Sequence, residues 1–314
     1  MIRAATIAIL ATAVVSSTGC SGEDEAASPD QEAPLSATET TTTLSPGDGT
    51  FTVRTEEFVD GSRQTSAEIP QRRLVTDIYV PGGEGPFPMV VHAHGMDGTS
   101  AKFSELLGAW AEAGYLVVAP NFPRTNGDAG AELRDLGDYV NQPADMTFVL
   151  DSVLDMAGQG GELEGLVAED HIGVSGLSLG GATTYPLLFN DCCRDDRYRS
   201  GLLMSALELP YDDSAYDYTR RIPVLAFSGT DDASIPYEVQ QDTIAKVAGP
   251  KWNVTLPGGQ HSQPFENRPS PQDELVVATT IAFWDMTLRG DAGAADRLVR
   301  SATVEGLSFV DVTE

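Results

Sequence analysis

Gly176-Leu177-Ser178-Leu179-Gly180 is the segment most able to do chemistry. A β-rich run, His171 to Ser175, leads into it, and an apolar run from Ala182 to Phe189 leaves it. A serine on so sharp a strand-to-helix turn needs small neighbours, and the turn lifts its Oγ above the sheet edge. It also leaves the Leu179 N–H facing the same space, as one donor for an oxyanion. A serine hydroxyl is a poor nucleophile until a base takes its proton.

Four histidines could supply that base: His92, His94, His171 and His261. His171 opens the strand into the turn, at the wrong end of the sheet. His92 and His94 precede the serine. His261, in Gly258-Gly259-Gln260-His261-Ser262, follows the last buried strand, and in this arrangement the base follows the nucleophile and the acid. His92-x-His94 has the spacing of a metal pair. No third histidine or clustered carboxylate completes a site, so no metal is expected.

The base needs a carboxylate that fixes its tautomer and stabilises the imidazolium. Asp231 and Asp232 lie just after the strand Pro223 to Ser228, and Asp232 is preferred. Asp231 and, more distantly, Glu208 remain alternatives. The second oxyanion donor should come from Gly95-Met96-Asp97-Gly98, and the Met96 N–H is the choice.

Strands are expected at 51–59, 72–80, 88–94, 115–119, 171–175, 202–207, 223–228 and 252–256. Helices are expected at 100–113, 143–157, 182–189, 237–247 and 273–288. Their alternation implies βαβ units and a mostly parallel sheet covered on both faces.

The rest of the sequence narrows the function. The formal net charge is −28, from 19 basic and 47 acidic residues. Such an excess argues strongly against non-specific nucleic-acid binding and disfavours docking of the folded body on an anionic membrane. Three cysteines exclude a disulfide scaffold. Cys192 and Cys193 are adjacent, and free thiols, a vicinal disulfide or an intermolecular bond are all open. Residues 1–19 read as a signal peptide: a short basic start, an apolar stretch from Ala4 to Val15, then small residues before Cys20. Cys20 resembles the lipidated cysteine of a bacterial lipoprotein. Residues 20–49 are acidic, with no basic residue, and read as a disordered linker. That leaves residues 50–314 for one domain.

With these residues in place, the chain resembles an α/β-hydrolase. The nearest likeness is to the group joining platelet-activating-factor acetylhydrolases, dienelactone-hydrolase-like proteins and bacterial polyester hydrolases. Val53-Arg54-Thr55, Asp60-Gly61-Ser62-Arg63, Gly85-Pro86-Phe87-Pro88, His94-Gly95 and Gly180-Gly181-Ala182-Thr183 follow the acetylhydrolase-like pattern. Gly258-Gly259-Gln260-His261-Ser262 is similar to the histidine loop of polyester hydrolases. Ser205 occupies the position where animal acetylhydrolases carry their acid, which again points to Asp232. Beside Ala206 there is no tryptophan of the polyester-hydrolase kind.

The resemblance implies an exported serine ester hydrolase with Ser178, Asp232 and His261 as triad and no cofactor. The expected substrate is a small-molecule or polymeric ester, membrane contact is expected only through lipid on Cys20, and a monomer is expected. A polyester hydrolase and a non-catalytic protein on the same fold are the alternatives.

Overall fold

The computed structural model describes residues 43–211 and 214–314, which belong to one compact unit. The expected leader, Cys20 and the linker to residue 42 lie outside the described residues.

The strands are β1 (Phe51–Asp60), β2 (Arg72–Pro81), β3 (Phe87–Ala93), β4 (Leu116–Asn121), β5 (Val167–Leu177), β6 (Tyr198–Met204), β7 (Val224–Gly229), β8 (Lys251–Leu256) and β9 (Phe309–Thr313). They form one sheet in the order β1-β2-β4-β3-β5-β6-β7-β8-β9. From β4 to β8 neighbouring strands are parallel. β1 and β2 at one edge and β9 at the other run antiparallel to their neighbours. All seven residues of β3 are buried, the continuous apolar pattern of a strand covered on both faces.

The helices are α1 (Ser104–Glu112), α2 (Gln142–Ala157), α3 (Leu179–Phe189), α4 (Tyr237–Lys246), α5 (Asp273–Leu288) and α6 (Ala294–Ser301). They divide between the two faces. Met146, Val149, Leu187 and Ile244 from α2, α3 and α4 pack with Met89, Val91 and Val174. Leu107, Trp110, Phe283 and Leu298 from α1, α5 and α6 pack with Val90, Leu225 and Phe227. Successive strand residues thus serve opposite layers.

β3 is followed in the chain by β4 on one side of it, and then by β5 on the other. The winding direction reverses there, and in open α/β sheets ligands bind in the crevice beyond the carboxyl ends of strands at such a switch point. Gly95-Met96 follows β3, and Ser178 follows β5.

The packed body begins before residue 50, unlike the expected boundary. The Ser45 N–H donates to the Pro86 carbonyl at 2.9 Å, and the Asp48 N–H to the Gly82 carbonyl at 3.1 Å. Arg289 Nη1–H reaches the Ser45 carbonyl at 2.8 Å. β6 is displaced from the expected 202–207: it starts at Tyr198 and stops at Met204, because Ser205 turns the chain with φ +44°. The helix after the Ser178 turn starts at Leu179 rather than at Ala182. The expected helix at 100–113 begins as a 3₁₀ turn, Ser100–Phe103, before α1. α6 and β9 were not anticipated.

Candidate active site

Ser178 sits between β5 and α3 with φ +56° and ψ −116°, a conformation that side chains other than glycine rarely adopt. The surrounding structure enforces it. A Cβ on Gly176 would stand 2.2 Å from the Gly180 backbone, and one on Gly180 would stand 2.0 Å from the Ala93 carbonyl oxygen. Only glycine lets β5, α3 and the end of β3 approach so closely. The Ser178 N–H donates to the Met204 carbonyl at 2.9 Å, tying the turn to β6.

Ser178 Oγ lies 2.8 Å from His261 Nε2, and His261 Nδ1 lies 2.7 Å from Asp232 Oδ2. These three residues, 83 and 29 positions apart in the chain, meet beyond the ends of β5, β7 and β8. The loop carrying His261 is held at both ends. At its start, the Gly259 carbonyl accepts from the Asp231 N–H, and Gly229 leaves no room for a side chain against it. Beyond His261, Asn267 accepts from the Glu105 N–H at 3.0 Å and donates to the Ala101 carbonyl at 2.8 Å.

Asp232 is shielded from solvent, while the His261 side chain is 21% exposed. Asp232 Oδ1 accepts from the Ser234 and Ile235 N–H groups, both at 2.8 Å. Oδ2 accepts from His261 and from Gln240 Nε2, at 2.9 Å for the latter. Burial alone would push this carboxyl up. The hydrogen bonds from His261, Ile235 and Ser234 outweigh burial and hold it below the ordinary carboxylate value.

Asp231 and Glu208 are engaged elsewhere. Asp231 is exposed, and among the described residues its side chain accepts only a long bond from Thr230 Oγ1. Glu208 accepts from Tyr218 Oη at 2.6 Å and from Lys246 Nζ at 2.9 Å.

The turn after β3 lies beside the nucleophile: a Cβ on Gly95 would stand 3.2 Å from Ser178 Cβ. Among the described residues the Met96 N–H has no hydrogen-bond partner. The Leu179 N–H opens α3, where no preceding turn can accept it. Two N–H groups near Ser178 are therefore free to receive a negative oxygen.

His94 shapes that turn. Its Nδ1 bonds the Gly95 carbonyl at 2.7 Å, and its Nε2 accepts from the Phe122 N–H at 3.0 Å. Only the neutral ring with its proton on Nδ1 satisfies both. Burial accordingly pushes His94 down to about 4. His92 is buried against Phe103 and Trp110, with Nδ1 2.9 Å from Ser175 Oγ, and burial pushes it down to about 3. His171 bonds the Leu288 carbonyl, within β5 and away from Ser178.

Sequence reasoning overlooked a set of buried amides. Gln142 is fully buried at the start of α2. It donates to Thr125 Oγ1 at 2.8 Å and accepts from Thr183 Oγ1 at 2.5 Å. Thr125 in turn accepts the Asp97 N–H through its carbonyl at 2.8 Å. Gln142 thus links the turn of Met96 to the helix of Ser178. Its signal was its place: a polar residue one turn before the apolar positions Met146, Val149 and Leu150. Cys192 and Cys193 are joined to each other by a disulfide.

No protein-family model matches the chain, and no curated protein matches it.

Proposed function

We propose that this chain is a serine hydrolase of carboxylic esters on an α/β-hydrolase fold. The observation that carries the reading is the unbroken relay from Ser178 Oγ through His261 to Asp232, at 2.8 and 2.7 Å, set on a strained turn. Support for the fold name comes from the order of the parts. The nucleophile follows β5, the acid follows β7 and the base follows β8, with the remaining strands wound on both sides of the switch point.

The reaction runs through an acyl-enzyme. His261 Nε2 takes the Ser178 proton as Oγ attacks the ester carbonyl, and the carbonyl electron pair moves onto oxygen. The Met96 and Leu179 N–H groups hold that oxyanion. Asp232 stabilises the imidazolium without taking its proton. Collapse of the adduct breaks the bond to the alcohol oxygen, which leaves with the proton from Nε2. Water then attacks the acyl group with His261 as base again, and releases the acid and free Ser178. No step calls for a cofactor. The substrate is a small-molecule ester of short or medium acyl chain. The chain is exported and anchored through lipid on Cys20.

Three variants test the chemistry on a soluble p-nitrophenyl ester. Ser178→Ala removes the nucleophile from a turn that accepts alanine, so turnover falls by about 10⁴–10⁶ with the melting curve unchanged. Asp232→Asn costs about 10⁴, because asparagine favours the wrong tautomer. Asp231→Asn leaves the rate near wild type. Undiminished turnover by Ser178→Ala rejects the mechanism, and equal mild losses at 231 and 232 move the acid elsewhere.

A further inference from the structure

Gln240 is 2% exposed, on the inner face of α4. Burial alone favours an apolar side chain there, as at Ile244 one turn later. The amide instead carries a cost. Its Oε1 has no partner among the described residues, and an orphaned buried acceptor is destabilising. Its Nε2 donates twice, to Asp232 Oδ2 at 2.9 Å and to the Ile235 carbonyl at 2.7 Å. Exchanging the amide oxygen and nitrogen would set three acceptors against one another, so the donor orientation is fixed.

We propose that Gln240 is a positioning residue for the triad, holding Asp232 so that Oδ2 faces His261. The proposal rests on the serine-hydrolase reading. A carboxylate pinned only at Oδ1, by the backbone of Ser234 and Ile235, keeps freedom to rotate about its last bond. The Gln240 N–H removes that freedom by adding a side-chain donor to the other carboxylate oxygen. It does so through the oxygen that His261 uses. A hydrogen bond of Asp232 that ran only to backbone would orient the loop and leave the imidazole partner loose.

The groups facing this pair are few. His261 stands in front of Asp232. Tyr185 of α3 lines the small space beside Gln240, together with Ser228 and Ala206. Tyr237, on α4, is turned to Thr255 Oγ1. Asp231 is exposed.

Gln240→Met and Gln240→Glu test the role in the full chain. Methionine keeps the volume and removes both donors. Glutamate keeps the shape, donates only while protonated, and otherwise adds a negative charge beside Asp232. Two readouts are needed: kcat and KM against pH on a p-nitrophenyl ester, and the downfield proton resonance of the His261 Nδ1–H, which requires no substrate. With Gln240→Met, kcat is expected to fall about 10- to 100-fold with KM unchanged. In Gln240→Met, which adds no charge, the midpoint of the resonance and the acid limb of kcat/KM both move up, because Asp232 has lost a donor and holds the imidazolium more strongly. Gln240→Glu, which sets a carboxylate beside Asp232, moves both by charge alone and serves as the positive control. A merely structural glutamine would leave both midpoints of Gln240→Met at the wild-type value. Wild-type kcat together with a wild-type midpoint in Gln240→Met overturns the proposal, and where that variant melts early the midpoint is read below its melting temperature. In protein that hydrolyses no ester the resonance decides alone, so failure of the ester reading and failure of this one are separable.

Discussion

Thr183 Oγ1 donates to Gln142 Oε1 at 2.5 Å, joining the second turn of α3 to the first residue of α2. The same amide donates to Thr125. Gln142→Leu would leave both hydroxyls buried without this partner. The expected loss is about 1–3 kcal/mol of unfolding free energy, read from urea denaturation. Because Thr125 also holds the Asp97 N–H, ester kcat should drop further than in an exposed control such as Gln64→Leu. An unchanged denaturation midpoint would show that the bridge contributes nothing.

Stability should fall as the protein is acidified from about pH 6.5 to about pH 4. The buried His92 and His94 stay neutral in the folded chain down to about 3 and about 4, whereas an unfolded imidazole takes its proton near 6.5. Between those values the unfolded chain binds more protons, so stability rises with pH across the window. For His94 alone the loss by pH 4 is on the order of 3 kcal/mol. Asp232 acts in the same direction lower down. Its carboxyl is held below the ordinary value, so the stability it adds is present above about 3.8 and lost as pH falls through the folded value. Urea titrations at several pH values check the slope, which should be shallower in His92→Gln. A flat stability between pH 7 and 4.5 contradicts the account.

Cys20→Ala should release the protein from the membrane fraction into the medium. The reason is electrostatic: a chain of net charge −28 has no attraction for anionic lipid, so any retention must come from attached acyl chains. Wild-type protein found already free in the medium would instead favour plain secretion.

The strained turn at Ser178 was legible because steric demand leaves a mark on composition. A Cβ at 176 or 180 would stand 2.2 or 2.0 Å from neighbouring backbone, so only glycine fits at either position. His261 was legible from chain order. The choice between Asp231 and Asp232 was less so, because adjacent carboxylates are chemically alike; the turn that sends one inward and one to solvent is set by backbone bonds to Ser234, Ile235 and Gly259. Gln142, Gln240 and Asn267 left little trace. A neutral amide breaks no periodicity, and its partners lie as far as 41 or 166 residues away. α6 and β9 were missed for a different reason. The helix has eight residues and buries Ala294 and Leu298, while the edge strand leaves Phe309 and Val312 exposed, so neither carries a strong apolar pattern.

The preferred ester should carry a short or medium acyl chain. A long chain gains only where each methylene leaves water for an apolar wall, at ~0.8 kcal/mol per CH₂. The segment between β4 and α2, beside the turn of Met96, is built otherwise. Arg124 pairs with Asp135 and bonds the Leu133 carbonyl, and Arg134 pairs with Asp97. Leu136 and Val140 are its exposed large apolar side chains. Such a segment closes on itself through charge and offers little wall for a palmitoyl tail. No tryptophan stands beside Ala206 to stack an aromatic diester, so an aromatic polyester film should resist erosion. Measuring kcat/KM along a series of p-nitrophenyl esters checks this: the value should peak between acetyl and hexanoyl and decline beyond. A steady rise to palmitoyl, or clear erosion of a polyester film that Ser178→Ala fails to produce, would assign the site to long-chain or polymeric substrates instead.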